Sequence, residues 1–272
     1  MCTTQNLYIF CNEVQFYIYF VLLPIWLPRI VIVVKTAQPS RSSASSTTQS
    51  SSLYDRLRED LLSAKFSPGT KLAIDSLSDL YQVGQTPLRE ALNRLTADGL
   101  VERRDQRGFV VAGISRQDLQ ELTDTRCWLE EVAIRQGMLR RDPAWEEGIV
   151  LAHHRLQRIP RSLQDQQFED NAEWEISHRA FHRALIQGCG SRWLIGFCEQ
   201  LADQLYRYRK LVAETTYFHR DQGSEHAQMV EAILAGNADQ AIHQLSAHYQ
   251  TTTALILASE EIYWPEDPPS TK

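Results

Sequence analysis

The chain has 272 residues, of which 43% are hydrophobic, and its formal net charge is -6 at pH 7. This length is sufficient for two domains with apolar cores, and the negative charge argues against non-specific polyanion binding without excluding a sequence reader that uses a few well-placed arginines. The five cysteines are widely spaced and form no C-x-x-C pair, which argues against a disulfide framework and favours a reducing cytoplasm.

The first 50 residues differ in composition from the rest. Residues 14–28 are uncharged and apolar, and a second apolar run at 30–34 brings the stretch close to the length of a membrane helix. Pro24, Pro28 and Arg29 interrupt it, and no basic segment precedes it as a signal peptide requires. We expect an extension produced by a misplaced translation start, with no membrane association; a membrane anchor is the alternative.

A disordered linker is predicted for residues 38–52, which are rich in Ser and Thr. The first ordered helix is predicted to run from Leu53 to near Ala64, because its leucines share one helical face. A short strand at 71–73 could pair with a later hairpin, and Asp75 or Ser76 is predicted to cap the next helix. The leucines of the first face are Leu53, Leu57, Leu61 and Leu62.

Residues 77–111 predict a helix, a turn, a second helix and a hairpin. The turn falls at Val83-Gly84, and Thr86 is predicted to cap the second helix with Pro87 at its first position. The pattern becomes extended after Gly99, over 100–103 and 109–111. Apolar residues of the second helix fall at i, i+3, i+4 and i+7, namely Leu88, Ala91, Leu92 and Leu95. This order is that of a winged helix-turn-helix, whose second helix enters the DNA major groove.

The segment 86–92, Thr-Pro-Leu-Arg-Glu-Ala-Leu, and the following Gly99-Leu100-Val101 and Arg107-Gly108 closely resemble the recognition helix and wing of GntR-family bacterial transcription regulators. The resemblance covers residues 52–113. In that family the turn usually reads Val-Ser-Arg, whereas here it reads Val-Gly-Gln at 83–85. The missing arginine removes one contact that the resemblance implies, so a different operator preference is predicted.

The first turn of a recognition helix points at base edges. Gln85, Thr86 and Arg89 are therefore predicted to contact DNA, with Asn93 one turn later, because Arg pairs well with guanine and Gln or Asn with adenine. On the wing, phosphate or minor-groove contacts are predicted for Arg103, Arg104, Arg107 and Gly108. Residues 51–113 contain nine basic and nine acidic side chains. Binding is therefore predicted to need a homodimer on a two-fold operator in double-stranded DNA.

From residue 114 onward the composition is typical of an all-α domain. The predicted fold class is thus mainly α, a winged helix-turn-helix (51–113) followed by a helical bundle (114–258) and a tail (259–272). Ser115 is predicted to start the first helix of the bundle and Asp142-Pro143 the second. The remaining helices are predicted at about 164–187, 191–214, 219–235 and 237–256.

Four histidines predict a metal site. His178 and His182 lie four residues apart on one helix, His226 opens a later helix, and His248 lies on the last one. Such a pair, converging with histidines from facing helices, can build a metal site in a bundle core. Unligated core histidines are the alternative, and His178 could instead bind an effector directly. His153, His154, His219 and His243 are predicted to be surface residues.

This helical region resembles the C-terminal effector domain, termed FCD, of FadR-type members of the GntR family. The family motif Asp-x-x-x-His is matched at 178–182 except that His178 takes the Asp position, and His226 and His248 follow at the family's spacing. The resemblance implies a divalent metal, for which Zn or Ni is predicted. His178, together with Ser191 in place of a usual Asn, also resembles the carbon-starvation regulators of the family.

Four neutral imidazoles leave the charge of a metal ion unbalanced and so favour an added anion. A small carboxylate effector could supply it. Arg126 lies in a segment that resembles the Arg-x-x-Leu-Glu of the family and is predicted to clamp such a carboxylate; a salt bridge to Glu130 is the alternative. Arg207 is a second predicted effector contact, although at most two of the consecutive residues 206–209 are expected to face inward.

These features predict a cytoplasmic, homodimeric transcription regulator and repressor, not an enzyme. An acid bound through the metal or Arg126 would change the spacing of two winged helices, provided that its affinity differs between the two arrangements. The alternative is a metal-dependent hydrolase in which the four-histidine site activates water. A general base is not expected beside the histidines, because Glu173 and Glu175 are predicted to lie on other faces.

Overall fold

The computed structural model describes residues 10–11, 14–15, 17–19, 31–33 and 43–264 except 165, 218, 219 and 263, with burial described from Ser51 onward. The chain divides into two compact units, Met1–Thr48 and Gln49–Lys272. The described strands of the first unit are β1 (Phe10–Cys11), β2 (Val14–Gln15), β3 (Tyr17–Tyr19) and β4 (Val31–Val33), paired antiparallel as β1 with β2 and β3 with β4. Most of the N-terminal segment that we predicted to be an extension or, alternatively, a membrane anchor lies outside the described residues. Most of the predicted tail lies outside them as well. No helix within the described ranges is long and apolar enough to cross a membrane.

The first helix, α1, spans Ser43–Leu62, so the prediction of a disordered linker to residue 52 is wrong for residues 43–52. No glycine or proline interrupts this segment, and Ser and Thr disfavour a helix only weakly compared with those residues. The helix ends two residues before the predicted boundary, and Ala64 follows with a positive φ of 59°.

The winged helix is completed by α2 (Ile74–Tyr81), α3 (Gln85–Ala97), β5 (Val101–Arg104) and β6 (Gly108–Val111). The two strands form an antiparallel hairpin in which Val101 lies opposite Val111 and Arg104 opposite Gly108. Gly108, at the end of the turn, has a φ of 76° that favours glycine. The predicted pairing of 71–73 with the hairpin is confirmed, since Lys71 forms a bridge with Val110.

Both predicted helix caps in this domain are wrong. The N-cap of α2 is Ala73, without a side-chain hydrogen bond, so Asp75 lies inside the helix. The N-cap of α3 is Gly84, which places Thr86 and Pro87 at the second and third helical positions. Proline is tolerated there because the N–H groups of the first turn have no intrahelical partner in any case.

The core of the winged helix follows the leucine pattern. Leu88, Ala91, Leu92 and Leu95 are all 0% exposed, and the leucine face of α1 is buried against them. Tyr206 joins this core from the helical domain. The winged helix and the helical domain of the second unit therefore pack against each other.

The helical domain contains α4 (Arg116–Arg140), α5 (Pro143–Gln157), α6 (Ala172–Gln187), α7 (Arg192–Leu211), α8 (Ala213–Thr216), α9 (Gln222–Leu234) and α10 (Ala238–Ala258). The predicted starts at Ser115 and Asp142 are confirmed, because each side chain accepts a hydrogen bond from the first turn. Helix α4 packs on α7 and α10, α5 on α6 and α9, and α9 on α10. Helices α6, α9 and α10 thereby bring their histidines together.

Three predicted boundaries differ from the structure. Helix α6 begins at Ala172 rather than near 164, because the Asn171 side chain caps it and a bridge between Ser162 and Asp170 holds the preceding loop. The predicted helix at 191–214 is divided at Val212 into α7 and α8. The predicted helix at 219–235 begins at Gln222.

Candidate functional site

The four predicted histidines converge in the helical domain. One ring nitrogen of each lies within 4.8 Å of the others, and His178 Nε2 is 3.1 Å from His182 Nε2. The four residues are between 2% and 7% exposed. We call His178, His182, His226 and His248 the four-histidine cluster.

Burial keeps these imidazoles neutral. It lowers the pKa of His178, His182 and His226 well below their ordinary value. Burial also lowers the pKa of His248 to about 4, although a hydrogen bond with Glu225 opposes the shift. Neutral imidazole is the form that binds a metal ion.

Glu225 orients one member of the cluster. Its Oε2 is 2.7 Å from His248 Nδ1, which leaves His248 Nε2 for the cluster. Arg220 forms a salt bridge with the same carboxylate and donates to the His248 carbonyl at 2.6 Å. Burial raises the pKa of Glu225, but His248 and Arg220 lower it to about 2. A carboxylate behind a histidine is the usual outer partner of a metal-bound imidazole.

A second buried network orients His182. Tyr249 Oη lies 3.0 Å from His182 Nδ1 and donates to Glu130 Oε2 at 2.7 Å. Arg126 donates to Glu130 at 2.7 Å and to Tyr249 at 2.8 Å. Burial disfavours the charged form of Arg126, but Glu130 and Tyr249 together raise its pKa above the ordinary value. The structure therefore shows the salt-bridge alternative for Arg126, which is linked to the histidines through Tyr249.

The donor set fits a metal ion. Two buried imidazole nitrogens, His178 Nδ1 and His226 Nε2, have no hydrogen-bond partner within the described chain. Four nitrogen ligands of this kind suit Zn or Ni. Burying such polar nitrogens without a partner costs free energy, which a bound ion would offset.

A cavity of about 380 Å³ adjoins the cluster at His178 and His182. Its charged walls hold Arg58, Arg126, Arg179, Arg183 and Arg209, and the carboxylates Glu130, Glu175, Glu199 and Asp203. We call it the arginine cavity. Each of these arginines forms a salt bridge with one of these carboxylates.

The structure corrects the prediction for Glu175 and places Arg207 outside this cavity. Glu175 does not lie on another face, since its Oε1 is 3.9 Å from His178 Nδ1 and it pairs with Arg209. Arg207 is not in the cavity: it donates to the Ala112 carbonyl at 2.5 Å and to Gln204 at 2.9 Å, between the wing and α7.

Three of the residues 206–209 are buried rather than two at most. The reason is that α7 is covered on several sides: Tyr206 enters the core of the winged helix, and Tyr208 packs with α4 and hydrogen bonds to Asp118. Sequence periodicity assumes one buried face and so missed Arg209, which lines the arginine cavity.

The surface prediction is confirmed for His154 and His243, which are exposed. It is wrong for His153, which is partly buried with its ring 5.5 Å from that of Phe181. His219 lies outside the described residues.

The predicted DNA-contacting side chains of α3 are exposed on one face of that helix. Gln85, Thr86, Arg89 and Asn93 are all exposed, and Gln85 donates to Asp75 at 2.7 Å. Within the described chain, no carboxylate pairs with Arg89. Arg103, Arg104, Arg107 and Gly108 are also exposed, and Arg104 pairs with Glu102 at 2.9 Å.

One carboxylate connects the winged helix with the helical domain. Asp203 of α7 pairs with Arg58 of α1 through one oxygen and with Arg179 of α6 through the other. All three residues line the arginine cavity. A wall of that cavity is therefore contributed by the first helix of the winged helix.

Residues 49–111 match the family described as bacterial regulatory proteins, gntR family, and residues 121–251 match the FCD domain. The chain is 35% identical to the transcriptional regulator BphR of Paraburkholderia xenovorans, over 75% of this chain and 83% of that protein. It is 31% identical to the transcriptional repressor GlaR of Escherichia coli, over 75% of this chain and 93% of that protein. These relatives give no support to the hydrolase alternative.

Two solved structures share the fold. E. coli McbR/YncC superimposes with a TM-score of 0.62 at 20% identity, covering 76% of this chain and 96% of that one. A GntR regulator from Rhodococcus sp. RHA1 gives a TM-score of 0.60 at 22% identity, covering 78% and 99%. The exposed second helix of the winged helix, the helical domain behind it and these matches agree: the chain belongs to the GntR family of bacterial transcription regulators, with an FCD domain as its C-terminal part.

Proposed function

We propose that the chain is a cytoplasmic repressor whose operator affinity is controlled by a small carboxylate and a metal ion bound in the FCD domain. The observation that carries the proposal is the arginine cavity, because it joins the four-histidine cluster to Arg58 of the winged helix. The repressor assignment is supported by the name of the E. coli relative. The buried free thiols of Cys127, Cys189 and Cys198 suit a reducing compartment.

For DNA recognition we propose the exposed face of α3. Gln85, Thr86, Arg89 and Asn93 would read base edges, while Arg103, Arg104, Arg107 and Gly108 of the wing would contact phosphates or the minor groove. Arg89 is the best candidate for a base contact, since it is exposed and has no ion-pair partner in the described chain.

A homodimer would present two such helices to a two-fold operator. In support, neighbouring helices α4 and α7 expose large apolar side chains: Trp128 is 66% exposed, Trp193 68% and Phe197 54%. Large apolar side chains exposed on adjoining helices are typical of a protein interface.

For the metal we propose the four histidines as ligands, with Glu225 and Tyr249 as the outer partners that fix two of the rings. A bound divalent ion would supply positive charge that attracts a carboxylate. The chain itself would hold the acid in the arginine cavity, where the guanidinium groups are donors. Because those arginines already pair with carboxylates, the acid would exchange partners with Glu175 or Asp203.

Exchange at Asp203 would change the contact between the domains. An acid that pairs with Arg179 or Arg58 would displace Asp203 from that arginine. The contact between α7 and α1 would weaken, and the placement of the winged helix would change. This gives the acid different affinities for the two arrangements, as coupling requires.

DNA reading is tested by binding of the full chain to its own upstream DNA, compared with random DNA, for wild type and Arg89→Ala. We expect binding with a steep salt dependence, and a loss of about 1–3 kcal/mol in the preference for upstream DNA in the variant, since each good base contact contributes about that much. Arg155→Ala, an exposed arginine on α5, is the matched control and should leave the preference unchanged. Equal binding of both DNAs by wild type would refute the proposal.

A further inference from the structure

A second cavity lies on another side of the four-histidine cluster. It has a volume of about 560 Å³, and its walls include His153, Arg161, Trp174, Tyr217, Gln222 and His226. Only His226 belongs to the cluster, and none of these six residues lines the arginine cavity. We call it the Arg161 cavity.

The cavity contains a cation that forms no ion pair with any residue described by the structure. Arg161 is partly buried, and within the described chain it makes neither a hydrogen bond nor an ion pair. Its guanidinium carbon lies 5.5 Å from the centre of the Trp174 ring and 5.3 Å from that of Tyr217. Burial and the neighbouring Arg209 and Arg220 lower the pKa of Arg161 to about 10, and Glu175 offsets this only in part, so Arg161 is charged at neutral pH.

This differs from the arginine cavity, where every lining arginine already has a carboxylate partner. Arg220, the other arginine on the wall of the Arg161 cavity, is saturated by Glu225, Thr252 and the His248 carbonyl. Asp221, at the exposed rim, accepts from the Ser224 N–H. Of the two arginines described on this wall, Arg161 is thus the one that remains open to a ligand.

Two further polar atoms on the wall are unsatisfied. Gln222 Oε1 and His153 Nε2 are buried and have no hydrogen-bond partner in the part of the chain that the structure describes. The amide oxygen can only accept, so it needs a ligand donor such as a hydroxyl. Leaving such groups unpaired is costly, and a ligand that supplies their partners gains accordingly.

The remaining wall is apolar, with Leu156, Ile159 and the Trp174 ring. A planar guanidinium matches a carboxylate in bidentate geometry, and an apolar wall favours a carbon skeleton over a bare inorganic anion. We propose that the Arg161 cavity is a second ligand site, which binds a small hydroxycarboxylate with its carboxylate on Arg161 and its hydroxyl on Gln222.

The site is tested by calorimetric titration of the full chain with L-malate, with succinate, which lacks the hydroxyl, and with inorganic phosphate. We expect malate to bind most tightly. Arg161→Gln should weaken malate binding roughly tenfold or more, the usual consequence of losing a charge-assisted hydrogen bond. Gln222→Leu should remove the advantage of malate over succinate.

Two controls separate this site from the arginine cavity and the metal. Arg155→Gln, on the exposed side of α5, should leave malate binding unchanged. The part of malate binding that Arg161→Gln removes should persist in Arg179→Gln, a change in the other cavity, and in the presence of a chelator, because it does not depend on the arginine cavity or on a metal. No binding of malate by wild type, unchanged binding in Arg161→Gln, or equal binding of phosphate would overturn the proposal. DNA binding is measured separately, so failure here leaves the regulator proposal intact.

Discussion

At the scale of single residues, the chemistry of the helical domain depends on side chains that fix other side chains. His248 is held by Glu225, and Glu225 is held in turn by Arg220. His182 is held by Tyr249, which Glu130 and Arg126 fix. These partners set which nitrogen of each ring faces the cluster, so in the proposed metal site they would contribute to the affinity for the ion without touching it.

Glu225→Gln tests this role. The variant keeps all four histidines but loses the carboxylate behind His248, and we expect metal affinity to fall about 10–100-fold, as is usual for outer partners. The measurement is competition with a chromophoric chelator for Zn or Ni. Glu231→Gln, an exposed residue on the same helix, is the control; a similar affinity in both variants would contradict the assignment.

The buried histidines also predict how stability depends on pH in the metal-free protein. The folded pKa values lie below the unfolded value of about 6.5, and that of His248 is about 4. As pH falls below about 6.5 the unfolded chain binds protons that the folded chain does not, so stability is full above that pH and is lost towards pH 4.

Glu225 adds little to the loss above about pH 5, because its folded pKa is about 2 and its contribution declines as pH falls towards and through the unfolded value of about 4.3. Urea unfolding of the chelator-treated protein at several pH values between 7 and 4 measures the effect. A free energy of unfolding that stays constant from pH 7 to pH 5 would show that the histidines are not buried as described.

The sequence was informative about residue types and less so about partners. The i, i+4 spacing on one helix correctly grouped His178 with His182, and helix order brought His226 and His248 to them. The role of Glu175 was missed because a single helical wheel cannot show that α7 supplies Arg209 to hold that carboxylate beside His178. The hydrogen bond of Arg207 could not be predicted for the same reason, since its partner, the Ala112 carbonyl, is far away in sequence.

At the scale of elements, polar caps and close packing determine where helices lie. The caps Ser115 and Asp142 could be predicted because each precedes an apolar helical pattern. The starts of α2 and α3 could not, because their N-cap side chains make no hydrogen bond. When no side chain caps a helix, only the periodicity of its apolar residues indicates where the helix begins.

The contact between α5 and α6 depends on a glycine. A Cβ at Gly188, the C-cap of α6, would lie 2.5 Å from Trp145 Cδ2, while Trp145 is 7% exposed and donates to the Ala184 carbonyl at 2.8 Å. We expect Gly188→Ala to destabilise the protein by about 1–3 kcal/mol, the usual cost of overpacking.

Gly148→Ala is the matched control, because it lies inside α5 with nothing within 4 Å of the added Cβ. It should stabilise by about 0.5–1 kcal/mol through helix propensity. Urea unfolding of both variants measures the difference, and equal effects of the same sign would show that Trp145 does not occupy this position.

At the scale of the whole molecule, the second unit joins a winged helix to an all-α domain through α7. Tyr206 enters the core of the winged helix, Arg207 binds the Ala112 carbonyl, and Asp203 binds Arg58. The order of the domains could be predicted from the sequence, because the apolar pattern is partly extended in the winged helix and helical throughout the second domain. The contact between the domains could not be predicted, since it depends on consecutive residues of α7 that face different partners.

The central claim is that a ligand in the helical domain controls operator affinity through this contact, and Asp203→Asn tests it most directly. The measurement is the dissociation constant for upstream DNA with Zn or Ni bound, with and without a panel of small carboxylic acids. For wild type we predict that at least one acid changes the constant several-fold or more, within the usual range of about 1–3 kcal/mol for coupling between sites. In Asp203→Asn, which still binds DNA, the change should be largely lost. The same change in both proteins, or no effect of any acid on wild type, would contradict the account.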